Sequence, residues 1–300
     1  MDKMPHFQGK NYWAVILGGS SGFGWATAQK LAAEGMNLCI LHRDRRQHLA
    51  AIEDGFSSLK ALGVQVLHFN LDATRPDKQL EVVEVLESRM QPFGKVKLLL
   101  HAIAKGNLKK MADNVNQTTD FQAFTEDEDL ANSYHSLAEK MQATFSEDTP
   151  VLSKQDFEIT LQNMALSFYD WTQLLLKNNL FAPDARLIGL TSEGSQKSWR
   201  GYAAVSAAKS TLESLCRSMA LEFAAQGLRC NLVQPGVTES PSLALIPGSD
   251  HLKMNALVRN PFGRLTQAED VADVIYLLCR NESRWINGAI IPVDGGERNS

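Results

Sequence analysis

A glycine-rich turn between an apolar segment and a helical pattern is the feature that most limits how this chain folds. Residues 13–17 form a short apolar run of the kind that makes a buried strand, and residues 17–24 have the sequence LGGSSGFG. The pattern TAQKLAAEG that follows has helical spacing, and a second apolar run ends at Leu41. This order of strand, glycine turn, helix and strand predicts a βαβ unit of a parallel sheet.

The turn also predicts a ligand. A dinucleotide pyrophosphate needs backbone N–H groups and a helix N-terminus close to it, and residues without a Cβ permit that approach at Gly18, Gly22 and Gly24. A glycine-rich stretch alone would equally suit an ordinary tight turn, but its place after the first strand of a βαβ unit favours the dinucleotide. The other turn residues expected to contact the cofactor are Ser20, Ser21 and Phe23.

Short β-rich runs alternate with helical stretches along the chain, which is typical of a parallel sheet with helices on both faces. We predict strands at residues 13–17, 37–41, 65–69, 97–101, 186–191, 229–233 and 289–293. They imply an α/β fold, a doubly wound seven-stranded Rossmann sheet in a three-layer αβα arrangement, within one domain over residues 1–300. The connection after His101 is too long, so we expect a helical insertion at about 107–155.

The residues after the second strand indicate which dinucleotide is bound. Asp or Glu usually meets free ribose hydroxyls there, whereas a 2′-phosphate requires guanidinium groups that bind it bidentately. This sequence has His42-Arg43-Asp44-Arg45-Arg46. Arg43 directly follows the strand and favours NADPH over NADH, with His42 beside it, whereas Arg45 and Arg46 suit a solvated helix start. If Asp44 rather than Arg43 faced the ribose, the preference would reverse.

The composition excludes other classes of function. A net charge of −4 and a pI near 6.0 provide no basic surface, so we expect neither nucleic acid nor a membrane as a partner. The N-terminal sequence MDKMPHFQGKNYW lacks the apolar core of a signal sequence, and no apolar run approaches a bilayer span, so a cytoplasmic protein is expected. The four cysteines lie far apart without metal-ligand spacing, which predicts buried, reduced thiols and no metal site.

Several segments together resemble the short-chain dehydrogenase/reductase family, and the resemblance covers nearly the whole chain outside the insertion. In chain order they are the turn LGGSSGFG, Asp72, GYAAVSAAKSTLESLCRSMALEF, RCNLVQPGV and NGAIIPVDGG. The turn departs from the family's TGxxxGxG at Leu17, which stands where the family has threonine. The resemblance implies further cofactor contacts at the strand ends, from Asp72 and Ala73, Ala102 and Ile103, and Pro235, Gly236 and Val237.

The catalytic segment departs from the carbonyl-reducing majority of the family. Their pair is Tyr-x-x-x-Lys, but four residues before Lys209 this chain has Val205, which has no proton to give. Tyr202 lies seven residues before Lys209, close to two helical turns, so both side chains are expected on one helix face. This spacing is similar to that of the enoyl-acyl-carrier-protein reductases. Alternatively, Tyr202 only packs, as an aromatic residue does here in carbonyl reductases, and Val205 marks a lost active site.

Two other segments favour the enoyl reductase branch. The fourth strand ends in HAIA rather than Asn-Asn-Ala-Gly, and residues 240–271 resemble the substrate loop of the NADPH-dependent enoyl reductases. Ser192 stands where several enoyl reductases carry a second tyrosine. The NADPH-dependent branch tolerates serine there, and carbonyl reductases also have serine at this strand end.

The resemblance therefore implies NADPH-dependent reduction of 2-enoyl thioesters, as in fatty acid metabolism. Tyr202 would donate a hydrogen bond to the thioester oxygen, Lys209 would hold the nicotinamide ribose, and Ser192 would add a further hydrogen bond. Two alternatives stay open: a carbonyl or imine reductase with another acid, and a catalytically silent NADPH-binding sensor. A carrier protein and coenzyme A both remain possible as the acyl carrier. Relatives are commonly tetramers, so a homo-oligomer, tetramer or dimer, is expected.

The predicted insertion carries an acidic run at residues 126–129. Apolar residues then recur at helical spacing, namely Leu130, Tyr134, Leu137, Met141 and Phe145. We interpret the acidic run as a solvated helix start, which the helix dipole favours. We expect the apolar side to pack on the body of the sheet, although a lid over the substrate channel or a subunit contact would also fit. His135 is expected to be structural or exposed.

Overall fold

Seven parallel strands form one sheet in a computed structural model that describes residues 4–113, 125–142 and 150–300. The strands are β1 (Tyr12–Leu17), β2 (Asn37–His42), β3 (Val66–Asn70), β4 (Lys95–His101), β5 (Phe181–Leu190), β6 (Arg229–Pro235) and β7 (Ile290–Val293). Their order across the sheet is β3-β2-β1-β4-β5-β6-β7. The predicted doubly wound Rossmann sheet is confirmed, with β5 starting earlier than predicted, at Phe181.

Helices cover both faces of this sheet. They are α1 (Gly22–Ala33), α2 (Leu49–Lys60), α3 (Pro76–Met90), α4 (Glu128–Gln142), α5 (Lys154–Leu161), α6 (Ser167–Lys177), α7 (Ala203–Glu222), α8 (Pro241–Ala244), α9 (Ser249–Arg259) and α10 (Ala268–Cys279). Successive β1 residues alternate between two cores, because strand side chains point to opposite faces. Trp13 and Val15 face the core that contains α3, α6 and α7. Ala14 and Ile16 face the core that contains α1, α2 and α10.

The direction of chain progression across the sheet reverses at β1, and this reversal creates the crevice in which such sheets bind ligands. β1 pairs with β2 on one side and with β4 on the other. The backbone N–H of Gly18 donates to Leu41 O at 2.8 Å, and that of Ala102 donates to Leu17 O at 2.8 Å. The turn after β1 is therefore held between the ends of β2 and β4.

The predicted insertion contains a helix, α4, but the orientation of that helix differs from the prediction. Leu130 and Tyr134 are 40% and 42% exposed, whereas Ala131 between them is 1% exposed. The helix is thus rotated by about one residue, or about 100°, from the expected orientation, since the small Ala131 side chain makes the contact. The start of α4 is exposed, as predicted, and so is His135. The side chains of Leu137 and Met141, and the whole of Phe145, lie outside what the structure describes.

The two ends of the insertion meet at Asp156, at the start of α5. Lys109 Nζ lies 2.8 Å from Asp156 Oδ1, and Asn107 Nδ2 donates to the same oxygen at 2.9 Å. Asp156 also forms a capping box with Ser153, which begins the helix. These bonds hold the start of α5 against the segment that follows β4.

A cluster of charges centred on Asp184 ties β4, β5 and β6 together near their amino ends, and Arg229 is its member on β6. Asp184 Oδ2 lies 2.9 Å from Lys97 Nζ, and its Oδ1 lies 2.5 Å from Arg186 Nη1. The Lys97 side chain is 3% exposed and that of Arg186 is 1% exposed. Burial lowers the pKa of Lys97, whereas at Asp184 the bonds from Arg186 and Lys97 outweigh burial and lower the pKa. The two buried cations therefore depend on this carboxylate.

Asp184→Asn should lower the free energy of unfolding, because it leaves two buried cations without their counter-charge. We expect a loss of about 2–3 kcal/mol, below the 3–5 of a fully buried pair since Asp184 is partly exposed to solvent. Urea unfolding followed by circular dichroism measures it. The control is Asp273→Asn, which removes an exposed pair with Lys30 and should change stability by less than about 0.5 kcal/mol. Equal effects of the two variants would contradict the prediction.

Candidate active site

A cavity of about 650 Å³ opens at the carboxyl ends of β1, β2, β4, β5 and β6. It brings together nearly all the residues that the sequence predicts for the site. Those that line it are Gly18, Ser20, Ser21, Gly22, Phe23, His42, Arg43, Asp72, Ala73, Ala102, Ile103, Ser192, Tyr202, Lys209, Pro235, Gly236 and Val237. Gly24 alone among the predicted residues is not part of the lining.

The glycine turn has the geometry that a pyrophosphate needs. Gly18 has φ +87°, and a Cβ there would lie 2.9 Å from Ala102 O, so a side chain is excluded twice over. α1 begins at Gly22, and the Ser21 side chain makes no capping bond to it in the described part of the chain. The first N–H groups of α1 therefore face the cavity without a side-chain cap, which fits an anionic ligand.

Gly24 has a different role from the one expected. A Cβ at this position would lie 2.0 Å from Gly18 O. The missing side chain thus lets α1 pack against the turn that precedes it, and the contribution of Gly24 to a pyrophosphate site is indirect.

The end of the cavity beside β2 and β3 contains the charged residues expected to select the cofactor. Arg43 Nη1 donates to Asp72 Oδ2 at 2.6 Å, and Thr74 donates twice to Asp72 Oδ1. Burial acts to raise the pKa of Asp72, but the Thr74 bonds and the Arg43 charge outweigh it and lower that pKa. The Asp44 carboxylate contacts His42 instead, with its Oδ2 2.8 Å from His42 Nδ1. Arg43 and Asp44 both border this end of the cavity, so the structure places a guanidinium and a carboxylate there.

Lys209 lies at the base of the cavity on α7. Its Nζ donates to Leu190 O at 2.6 Å, and the residue is 6% exposed. Burial lowers the pKa of Lys209 to about 8, against the opposing charge of Glu213 one turn along the helix. Glu213 Oε1 in turn accepts from Thr191 Oγ1 at 2.6 Å. The end of β5 is therefore fixed to α7 through two buried polar contacts.

Tyr202 and Ser192 face the same cavity as Lys209. Tyr202 is the N-cap residue that immediately precedes α7, so it does not share a helix face with Lys209 as predicted. Its side chain nevertheless reaches the same cavity. Burial raises the pKa of Tyr202, with the nearby Ser192 hydroxyl partly opposing the rise. Ser192 Oγ is buried and has no hydrogen-bond partner among the described residues. A Cβ on Gly194 would lie 2.5 Å from Tyr202 Cε1, so glycine there makes room for the ring.

Val205 occupies the place where carbonyl-reducing relatives have their tyrosine, and it is packed. It is 4% exposed and forms a small apolar cluster with Met164 and Ala208. A Cβ on Gly106 would lie 2.7 Å from Val205 Cγ2, so the opposing backbone comes close. This position is filled with apolar contacts and contains no group that could donate a proton.

The sequence did not identify the apolar part of the cavity. Leu108, Met164, Trp199, Leu243, Ile246 and Leu252 line it. Three of these six lie in residues 240–271. The resemblance of that segment to a substrate loop was the one indication in the sequence that they line the cavity. The others come from three separate connections, and no local pattern marks them as neighbours.

Asn163 is a further lining residue that the sequence did not assign. It lies in a π-helical turn, Gln162–Leu166, between α5 and α6. Its backbone oxygen is 3.1 Å from His101 Nε2, which donates because a carbonyl only accepts. Burial lowers the pKa of His101 to about 3, so this imidazole stays neutral and supports the turn.

The remaining expectations concern thiols, metals and membranes. Cys39, Cys216, Cys230 and Cys279 are buried free thiols. The described residues include no group of three His, Cys, Asp or Glu side chains placed to hold a metal ion. No helix in the described ranges combines the length and apolar character needed to cross a bilayer.

Two family models match the chain in succession. The short chain dehydrogenase model matches residues 12–128, and the Enoyl-(Acyl carrier protein) reductase model matches residues 134–297. Together with the parallel sheet and the cavity at its carboxyl edge, these matches define the class of protein. The chain belongs to the short-chain dehydrogenase/reductase family and is an oxidoreductase of that family.

Its relatives have several different activities. A cis-4-hydroxycyclohexanecarboxylate dehydrogenase of Sinomonas cyclohexanicum is 27% identical over 94% of this chain and 95% of its own. A tropinone reductase homolog of Arabidopsis thaliana is 24% identical over 99% of this chain and 95% of its own. The structure of an NADH enoyl-[acyl-carrier-protein] reductase of Aquifex aeolicus is similar with a TM-score of 0.73 and 21% identity, over 98% of both chains. The last comparison shows the shared fold.

The pKa of Lys209 predicts how the affinity for a nicotinamide dinucleotide depends on pH. Because that pKa is lowered to about 8, the ammonium loses its proton as pH rises through this value, and dinucleotide affinity should fall there. Removing the charge in Glu213→Gln should move the midpoint to lower pH, since Glu213 raises the pKa. Nicotinamide fluorescence titrations on either side of pH 8 measure both effects. A pH-independent affinity in wild type, or the same dependence in Lys209→Met, would disprove the assignment.

Proposed function

We propose that this protein reduces 2-enoyl thioesters with NADPH. The observation that carries the proposal is the composition of the cavity around Lys209. The position four residues before it is the apolar Val205, which borders the cavity without a donor, whereas Tyr202 and Ser192 bring a phenol and a hydroxyl to it. Two hydroxyl donors thus border the same cavity as the cationic residue, and the sequence spacing from Tyr202 to Lys209 differs from that of carbonyl reductases.

The residues present fit a dinucleotide with a 2′-phosphate. Gly18 and the first turn of α1 leave backbone N–H groups for a pyrophosphate, and Arg43 offers a guanidinium at the ribose end. Asp72 would meet the adenine ring, and Lys209 would bind the nicotinamide ribose. When bound, NADPH supplies the hydride that adds to the β-carbon of the enoyl group.

The protein's own contribution is to stabilise charge on the substrate. As the β-carbon is reduced, negative charge develops on the thioester oxygen, and a proton from Tyr202 or from water completes the reaction at the α-carbon. Tyr202 would donate a hydrogen bond to that oxygen, because its raised pKa keeps the phenol protonated at neutral pH. Ser192, whose hydroxyl has no partner among the described residues, would donate a second one. The charge of Lys209 favours the same anion.

The apolar part of the cavity suits an acyl chain. Met164, Trp199 and Leu243 line it together with Ile246, and apolar side chains hold alkyl groups by burying their surface. We propose that the thioester end lies at Tyr202 and that the chain extends along these residues. A carrier protein and coenzyme A remain equally suitable carriers, and assembly into a homo-oligomer in the cytoplasm stays a prediction.

A second candidate function is the interconversion of a ketone and an alcohol. It is favoured by the relatives named as a dehydrogenase and as a tropinone reductase homolog, and by Ser192 at the end of β5. In that reaction Tyr202 would have to supply the proton to the carbonyl oxygen in place of the missing tyrosine at Val205. The two functions differ in substrate and share the same donors.

Tyr202→Phe should reduce kcat/KM for NADPH oxidation with a crotonyl thioester by about 10²–10³, the effect of losing one oxyanion donor. NADPH affinity should stay close to wild type, because the phenol faces the substrate. Gly194→Ala should act in the same direction, since the new Cβ would displace the Tyr202 ring. The assay is absorbance of NADPH at saturating cofactor, with affinity measured separately.

Tyr169→Phe is the matched control, because this tyrosine on α6 is 40% exposed and lies outside the cavity lining. Full activity in Tyr202→Phe would show that the ring only packs. Turnover of ketones without turnover of enoyl thioesters by the wild type would establish the second candidate. NADPH binding without turnover of either substrate class would indicate a silent sensor.

A further inference from the structure

Three consecutive residues at the end of β2 point in different directions. His42 ends the strand, and its ring is buried beside Phe56 with 5.4 Å between the ring centroids. Arg43 extends to Asp72, and Asp44 folds back so that its Oδ2 lies 2.8 Å from His42 Nδ1. His42, Arg43 and Asp44 all border the cavity. One guanidinium and one carboxylate thus compete for the same end of the site.

The hydrogen bond from His42 sets the orientation of the Asp44 carboxylate. A carboxylate only accepts, so Nδ1 is the donor. The Asp44 backbone is held independently, because its N–H donates to Asn70 Oδ1 at 2.9 Å and its oxygen accepts from Asn70 Nδ2 at 3.1 Å. With the backbone anchored to β3, the main freedom left to Asp44 is rotation of its side chain. His42 restricts that rotation.

This restriction matters for the choice of dinucleotide. A carboxylate beside the adenosine ribose accepts hydrogen bonds from the free hydroxyls of NADH and repels a 2′-phosphate. We infer that His42 is a positioning residue for cofactor selection: by holding the Asp44 carboxylate, it leaves the 2′-phosphate to Arg43. The inference rests on the proposed use of NADPH and adds a determinant that acts without touching the cofactor's phosphate.

The test compares His42→Leu with His42→Asn. Leucine keeps the burial beside Phe56 and removes the donor, whereas the asparagine amide nitrogen stands close to the Nδ1 position and keeps it. Dissociation constants for NADPH and NADH are measured by nicotinamide fluorescence, which requires no substrate. His42→Leu should lower the preference for NADPH about tenfold, the effect of one close like charge that is partly screened. His42→Asn should retain the wild-type preference.

The same substitution in an Asp44→Asn background shows whether His42 acts through the carboxylate. A neutral carboxamide does not repel a phosphate, so adding His42→Leu to Asp44→Asn should leave the NADPH-to-NADH ratio unchanged. A merely structural role would weaken both dinucleotides alike in either background. If thermal unfolding shows that His42→Leu is not folded, His42→Gln replaces it, because the longer amide stands near Nε2 and should also lose the preference.

An unchanged NADPH-to-NADH ratio in folded His42→Leu or His42→Gln would overturn the inference. So would an equal fall of that ratio on adding His42→Leu to the wild type and to Asp44→Asn. A wild-type preference for NADH would contradict the proposed NADPH dependence. Even then, the change of the ratio between His42→Leu and His42→Asn would decide the role of His42 separately.

Discussion

The close approach of three strand ends at Gly18 determines where everything else in the site stands. The Gly18 N–H donates to Leu41 O at 2.8 Å on one side, and on the other a Cβ would lie 2.9 Å from Ala102 O. The turn is thus confined by backbone on both sides, which requires the positive φ and the absence of a side chain. This contact positions the three segments that follow the strand ends. They are the N-terminus of α1, residues 42–44 after β2 and the start of the loop after β4.

Strand-end residues could be predicted from the sequence because parallel topology itself brings them together. Once the alternating pattern indicated a parallel sheet, the residues after each strand had to meet at one edge. Arg43, Asp72 and Pro235 follow this rule. What depends on side-chain packing could not be predicted: the orientation of α4 on Ala131 and the π-helical turn at Gln162–Leu166 are set by the surfaces they meet, and the sequence contains no local pattern for them.

The catalytic segment shows the same division between local pattern and tertiary contact. Counting residues identified Tyr202 and Val205 as the departures from the carbonyl reductases. Counting also placed Tyr202 inside a helix, whereas α7 begins one residue later. Packing positions both side chains: Val205 faces Gly106 at close range, and Gly194 makes room for the Tyr202 ring. Two glycines distant in sequence, Gly106 and Gly194, therefore make room for the two side chains that line this part of the cavity.

The charge of Lys209 depends on a balance among buried groups. Burial alone would favour the neutral amine. Burial and the Lys209 charge also keep the neighbouring His101 imidazole neutral, so no second cation there opposes the ammonium. Glu213 supplies the opposing effect, held in place by Thr191. With the pKa at about 8, most Lys209 is charged at neutral pH. A ligand that binds the ammonium must raise that pKa by linkage, so a dinucleotide bound at Lys209 would stabilise the positive charge, and the charge would stabilise the bound dinucleotide.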